Sequence, residues 1–310
     1  MRSPVILGRF APSPTGPLHF GSLVAAVASY CLARRGGGRW LLRMDDLDTP
    51  RVVPGAADGI LRTLEALGFA WDGPVLWQSQ RHEAYLAALE QLTARGLVYA
   101  CACSRREILA SAPHPGEEGP VYPGTCRSGV SPGRTPRALR LLVPDRSIVF
   151  TDGIFGRQEQ SLGREVGDFV LRRADGLYAY QLATVVDDAA CGVNQVVRGA
   201  DLLGSTPRQL FLLESLDLPM PDYLHMPLAV AADGSKISKR QGDQDAQDDP
   251  LAAGGGEILW RVLKWLGQPV PDDLRSAAPA EVLAWAVNGF EPGAVPVCRE
   301  IAIDSAGKSR

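Results

Sequence analysis

No apolar run in these 310 residues suits a secretory leader or a membrane span; the N-terminal one, Val5 to Leu7, stops at Gly8-Arg9. A cytoplasmic protein that meets no membrane is therefore expected. Charge of one sign is also scarce. A net −3 at pH 7 argues against non-specific coating of nucleic acid. It leaves room for a local basic surface, with Arg34, Arg35, Arg39, Arg105 and Arg106 as candidates. The double Cys-x-x-Cys spacing of common zinc modules is missing. Without a leader, the six cysteines read as reduced thiols and not as a disulfide framework. The acidic stretch Asp243, Asp245, Asp248, Asp249 lacks both the turn glycine and the closing Glu of a calcium loop, and reads as a solvated linker.

What is present is a strand–helix alternation in a chain long enough for a catalytic core with appendages. Strands are predicted at 5–10 and 39–43, and helices at 22–34, 56–67 and 81–95. This pattern predicts an α/β fold with a doubly wound parallel sheet. The pattern breaks from about 99, where prolines and glycines crowd 113–136 and strand-like runs follow at 138–143 and 147–151. The run 178–186 leads back to the core, and a strand is predicted at 193–198. Ser205-Thr206-Pro207 then caps a helix carrying Leu210, Phe211 and Leu213. Short helices are predicted at 257–266 and 280–287. Asp187-Asp188 reads as the end of an apolar element and is assigned no chemistry.

Two segments point to phosphate chemistry. Arg9-Phe-Ala-Pro-Ser-Pro-Thr-Gly-Pro-Leu-His19-Phe-Gly21-Ser22 carries a strand through a Pro/Gly turn into a helix with Val24, Val27, Ala28, Cys31 and Leu32 on one face. A helix N-terminus offers backbone N–H groups and a positive dipole end to phosphate, His19 can donate to an oxygen, and Gly21 lets the backbone approach. The plain alternative is a helix cap with a surface histidine. Downstream, an Asp-Gly turn opens Lys236-Ile-Ser238-Lys239-Arg240, whose lysines can neutralise charge as pyrophosphate departs; alternatively this is a solvated basic loop.

In that order the two segments resemble the paired His/Gly and Lys-Ser-Lys signatures of class I aminoacyl-tRNA synthetases. Arg9 to Gly16, Arg43-Met-Asp45-Asp46-Leu-Asp48-Thr-Pro-Arg51, Tyr178-Ala-Tyr180-Gln-Leu-Ala and Val197-Arg198-Gly-Ala-Asp201 narrow the resemblance to the glutamyl branch, up to about residue 240. The truncated glutamyl-queuosine tRNA(Asp) synthetases are the most similar group. The resemblance implies glutamate contacts from Arg9, Phe10, Ala11, Pro12, Ser13, Asp45, Tyr180 and Arg198. It implies ATP contacts from His19, Gly21, Ser22 and Lys239, and catalytic roles for His19, Lys236, Ser238 and Lys239. The charges suit glutamate: two arginines for carboxylate, one acid for the ammonium. Which arginine takes the side-chain carboxylate is open. Asp45 stands where the family usually has Glu, one methylene longer, and a charged loop is the alternative for it.

Cys101, Cys103 and Cys126 are three thiols in one Gly/Pro-rich region, a set that can hold zinc with a fourth ligand. The resemblance implies a structural zinc on Cys101, Cys103, Tyr122 and Cys126, one per chain; His114 competes for the fourth place. Cys31, Cys191 and Cys298 read as structural. Mg²⁺ would arrive with ATP. The resemblance further implies halves of a nucleotide-binding domain at 1–98 and 178–241, a zinc-containing connective insertion at 99–177 and a short helical region at 242–310 without an anticodon-binding domain. The implied reaction makes glutamyl-adenylate from ATP and glutamate and transfers glutamate to queuosine of tRNA(Asp), with the protein a monomer. The alternatives are a minimal glutamyl-tRNA synthetase charging a 3′ end, a nucleotidyltransferase acting on a small acid, and a catalytically silent RNA-binding paralogue.

Overall fold

The computed structural model describes residues 5–112, 119–231 and 254–303. The first half alternates β1 (Leu7–Phe10), α1 (Phe20–Arg35), β2 (Arg39–Met44), α2 (Ala56–Ala66), β3 (Leu76–Trp77) and α3 (His82–Ala94). After these come β4 (Val98–Cys101), α4 (Arg105–Ser111), β5 (Ala138–Leu141), β6 (Ser147–Asp152), β7 (Gly156–Ser161) and β8 (Val170–Arg172). The chain continues through α5 (Tyr180–Ala190), β9 (Gln195–Gly199), α6 (Thr206–Ser215), β10 (Asp222–Met226) and β11 (Leu228–Val230). Beyond 254 lie α7 (Gly255–Trp265), α8 (Pro279–Gly289) and β12 (Glu300–Ala302).

The expected parallel layer is present. β1 pairs with β2 (Leu7 opposite Arg39), and β2 with β3. β9 pairs with β10 (Asp222 opposite Gln195), and β10 meets β6 at Tyr223–Asp152; all of these are parallel. Asn194, just ahead of β9, joins the two groups: its N–H donates to the Leu7 carbonyl at 3.1 Å and its Oδ1 accepts the Leu7 N–H at 2.8 Å. β7 adds to β6 antiparallel, while β4, β5 and β8 form a separate antiparallel sheet.

Alternate residues of β2 serve opposite faces, as the pleat requires. Trp40, Leu42 and Met44 enter a core with α1, α2, α7 and α8, whereas Leu41 packs against a second core to which α3, α5 and α6 contribute. Helices therefore cover both faces. The sequence predicted one apolar face on α1, but Leu23, Ala26 and Ala33 are as buried as Val27 and Cys31. α7 and α8 pack on the side a lone amphipathic helix would leave wet. The small residues of α1 allow this close approach, and Trp40 anchors it: its ring stacks on Phe10 and its Nε1–H donates to Ser29 Oγ at 3.0 Å.

The α1–β2 turn is tight because backbone crowds Gly38, where a Cβ would lie 2.3 Å from the Ile6 carbonyl oxygen and 2.4 Å from that of Ala33. Gly36, two residues earlier, has open space. Gly38→Ala should lower stability by about 1–3 kcal/mol through forced backbone shifts, and Gly36→Ala should stay within about 0.5 kcal/mol. Urea unfolding of both variants measures the contrast.

Candidate active site

In an open parallel sheet, ligands bind beyond the carboxyl ends of the strands, where neighbouring connections leave in opposite directions. β1 is such a strand, with β2 on one side and the β9 group on the other. A cavity of about 570 Å³ opens there, lined by the β1–α1 segment, the residue after β2, the first residue of α5, β9 and 226–229. Arg9, Phe10, Ala11, Pro12, Ser13, His19, Gly21, Ser22, Asp45, Tyr180 and Arg198 all line it. Lys236, Ser238 and Lys239 lie outside the described residues.

His19 is the N-cap of α1, and its Nδ1 accepts the Ser22 N–H at 3.3 Å. Capping and cavity lining are thus combined in one residue. The cap consumes one of the helix's free N–H groups. A Cβ on Gly21 would come within 3.3 Å of the His19 ring, so the glycine gives the imidazole its place.

Below the cavity runs a buried chain of alternating charge. Arg9 Nε donates to both oxygens of Asp188 at 3.1 and 3.2 Å, and its Nη1 donates to the Val197 carbonyl at 3.3 Å. Arg43 Nη1 reaches Asp188 Oδ1 at 2.5 Å, and its Nε reaches Asp45 Oδ1 at 2.6 Å. Burial alone would push the Asp188 carboxyl up, but the two guanidiniums overcome it and hold the group below the usual carboxylate range. Asp45 shares one arginine with Asp188, and there burial prevails and raises the carboxyl. Its side chain is only 8% exposed, which rules out the solvated charged loop. Asp46 turns away to accept from the Ser79 N–H and hydroxyl, and Asp48 pairs with Arg173 at 3.2 Å.

Asp187-Asp188, read as the end of an apolar element with no chemistry assigned, sit in the last turn of α5 as ion-pair partners. Both lie inside α5 and are buried: Asp188 joins the charge chain, while Asp187 accepts from Gln78, Tyr85 and Arg81 at 3.0, 2.8 and 3.1 Å. Apolar patterning around them gave no hint of partners so far off in sequence. Two adjacent acids within an apolar run were themselves the available signal.

Arg198 is in a different electrostatic state. Only 5% exposed, it donates from Nε to His225 Nε2 (3.0 Å), from Nη1 to Gln209 Oε1 (2.7 Å), and from Nη2 to Thr206 Oγ1 (2.9 Å) and the Leu202 carbonyl (3.2 Å). Among the described residues no carboxylate pairs with it. A buried guanidinium with only neutral partners favours an anion beside it. Tyr180, 37% exposed at the start of α5, adds a phenol to the same cavity. His225 went unnoticed in the sequence, although one of only four histidines inside an apolar strand was a signal.

A second cluster lies where β4 leaves its sheet. The sulfurs of Cys101, Cys103 and Cys126 all fall within 4.8 Å of one another. The Tyr122 hydroxyl lies 3.4 Å from both Cys101 Sγ and Cys103 Sγ, and accepts the Cys126 N–H at 3.0 Å. Burial opposes ionisation of Cys126, but hydrogen bonds from Tyr122 and the Ala102 N–H bring that thiol down to about 7. The Arg140 guanidinium covers the Tyr122 ring at 3.9 Å, a cation–π contact absent from the sequence reading. His114 lies outside the described residues.

The family model for the catalytic domain of class I tRNA synthetases (E and Q) matches residues 5–257. A glutamyl-Q tRNA(Asp) synthetase of Geobacter sulfurreducens is 56% identical over 296 residues, 94% of each chain. One from Pseudomonas aeruginosa is 52% identical over 292 residues, 94% of this chain and 96% of the relative. Among solved structures, a glutamate tRNA ligase from Elizabethkingia meningosepticum in complex with its amino acid superposes with a TM-score of 0.80 at 25% identity, covering 98% of this chain and 68% of that one.

Replacing Asp188 by Asn leaves Arg9 and Arg43 without their shared anion and should cost about 3–5 kcal/mol at neutral pH. The Asp188 carboxyl titrates lower when folded than the unfolded value of about 3.9, so its stabilisation is complete above that value and is lost as pH falls through the folded one. Urea midpoints of wild type and variant should therefore converge on acidification.

Proposed function

The chain belongs to the class I tRNA synthetase family for glutamate and glutamine, and on that premise we propose that it activates glutamate with ATP and transfers it to the queuosine base of tRNA(Asp). The observation that carries the choice of amino acid is Arg198, a buried cation with neutral partners, in one cavity with the acid Asp45 and the N-terminus of α1. Arg198 takes the side-chain carboxylate, since Arg9 already has Asp188 as counter-ion. Asp45 takes the ammonium, a second cation beside the carboxyl that Arg43 already holds. Tyr180 and the 9–13 segment close around the substrate. The α-carboxylate is left towards His19, Gly21 and Ser22, where the helix N-terminus receives phosphate.

A carboxylate oxygen then attacks the α-phosphorus and pyrophosphate leaves. His19 and the α1 dipole steady the phosphate charge with Lys236, Ser238 and Lys239, and Mg²⁺ carried by ATP would supply further positive charge there. A hydroxyl of the acceptor next attacks the acyl carbon, AMP leaves, and the hydroxyl proton passes to solvent. No protein nucleophile takes part; positioning and electrostatics do the work. Queuosine as acceptor follows from the relatives' names, since the described residues carry no separate mark of that base. A second reading, charging of a tRNA 3′ end, draws on the fold shared with the Elizabethkingia ligase.

The donors at Cys101, Cys103, Cys126 and Tyr122 fit zinc: the three sulfurs lie within 4.8 Å of one another, and the phenol oxygen lies 3.4 Å from two of them. A zinc ion there would brace the 99–177 insertion, as closed thiolate-rich sites do. The 1–98 and 178–241 segments then form the catalytic halves, and the helices after 242 complete the core around α1, in a cytoplasmic monomer.

Radiolabelled glutamate with ATP should label queuosine-containing tRNA(Asp) in a form that survives periodate treatment of the 3′ end, and should spare queuosine-free tRNA(Asp). Label on tRNA(Glu) that prior oxidation of its 3′ diol abolishes would instead establish the charging reading. Metal analysis should find about one zinc per chain. Cys103→Ser should lower that content and the melting temperature while leaving glutamate-dependent ATP–pyrophosphate exchange measurable.

A further inference from the structure

Arg198 is usable as a carboxylate receptor only if something holds it rigidly without neutralising it. Arg198 and His225 stand opposite each other in the β9–β10 register, and the imidazole is fully buried. His225 Nε2 can accept the Arg198 Nε–H only when the ring proton sits on Nδ1. Asp152 enforces that tautomer: its Oδ2 lies 2.6 Å from Nδ1. The carboxylate is itself locked, because Oδ1 accepts the backbone N–H groups of Ile154 and Phe155 at 2.9 Å each and that of His225 at 3.3 Å. The Tyr223 ring stacks on the imidazole and also lies under the guanidinium, 5.2 Å from it. Burial, together with the nearby Arg198 charge, holds the His225 imidazole below its usual range despite Asp152.

Among the described residues, every polar partner of the guanidinium is thus a neutral acceptor: an imidazole, an amide, a hydroxyl and a carbonyl. A carboxylate at position 225 would make a stronger bond to Arg198 but would cancel its charge. The neutral ring separates Asp152 from Arg198, so the negative charge fixes the orientation at one remove.

We propose that Asp152 and His225 act as a positioning pair that aims Arg198 into the cavity with its charge uncompensated, and so set the preference for a side-chain carboxylate over a carboxamide. The proposal rests on the glutamate-activating reading above. A charged guanidinium gains a charge-assisted hydrogen bond from glutamate that glutamine cannot supply. Loss of its alignment should therefore weaken glutamate in particular and leave ATP, held at the other end of the cavity, unaffected.

ATP–pyrophosphate exchange tests this, with glutamate and ATP varied separately. His225→Phe should raise KM for glutamate about 10- to 100-fold, the worth of a hydrogen bond to a charged group, with KM for ATP within about twofold. His225→Gln, which keeps an acceptor, should recover most of the loss. His225→Glu should bring the glutamate and glutamine KM values together. A merely structural role would move both KM values alike, and that result, or an unchanged glutamate KM in His225→Phe, overturns the proposal. The wild-type protein gives an independent test that needs no variant to fold: nitrogen NMR of its histidines should find His225 as the Nδ1–H tautomer, and the Nε2–H form overturns the proposal. Wild-type protein showing no glutamate-dependent exchange would instead overturn the activating reading itself.

Discussion

Asp188 is the carboxylate on which the site's geometry depends. It stands between Arg9 from β1 and Arg43 from β2, and it reaches them from α5. Such a group costs several kcal/mol to bury, and only close partners with good geometry offset that cost. Two arginines supply the geometry here. The same contact aligns neighbouring strands, and through Arg43 it fixes Asp45 at the cavity wall. One acid therefore coordinates three elements whose ends form the binding crevice.

The two arginines expected to meet substrate thus differ in kind. Arg9 is a neutralised cation whose role is partly architectural, and Arg198 is a buried cation held, among the described residues, by neutral groups. The residue types alone make them equivalent. Their partners set them apart: Arg9 has Asp188 as counter-ion, and on the proposed reading that difference gives the cavity a direction, with the side-chain carboxylate at β9, the ammonium at Asp45 and the reacting carboxylate at the α1 terminus. The cysteine cluster follows a related rule, with Tyr122 placed among three sulfurs and covered by the cation of Arg140.

Much of this was legible in the chain. The His19–Ser22 turn could be read because a helix cap is local: donor, acceptor and helix start lie within four residues. The alternation of strands and helices was legible for the same reason, since period and capping are short-range properties. The burial of α1 almost all round was not, because α7 and α8, which cover it, begin more than two hundred residues later. Asp187 and Asp188 were visible as a pair but not as ion-pair partners, for Arg9 lies 179 positions from Asp188.

The sequence by itself determined the chemistry on offer: which donors, acids, thiols and helix start the chain possesses, and their order. Tertiary structure decided how those groups are charged against one another. Asp152 reaches His225 across 73 positions and His225 reaches Arg198 across 27, through strands that are neighbours only in the folded sheet. Electrostatic state depends on distance in space and on exclusion of water, neither of which is encoded in spacing along the chain. That is why an arginine can be identified from sequence, while whether it is already neutralised or still free to bind an anion is settled only by folding.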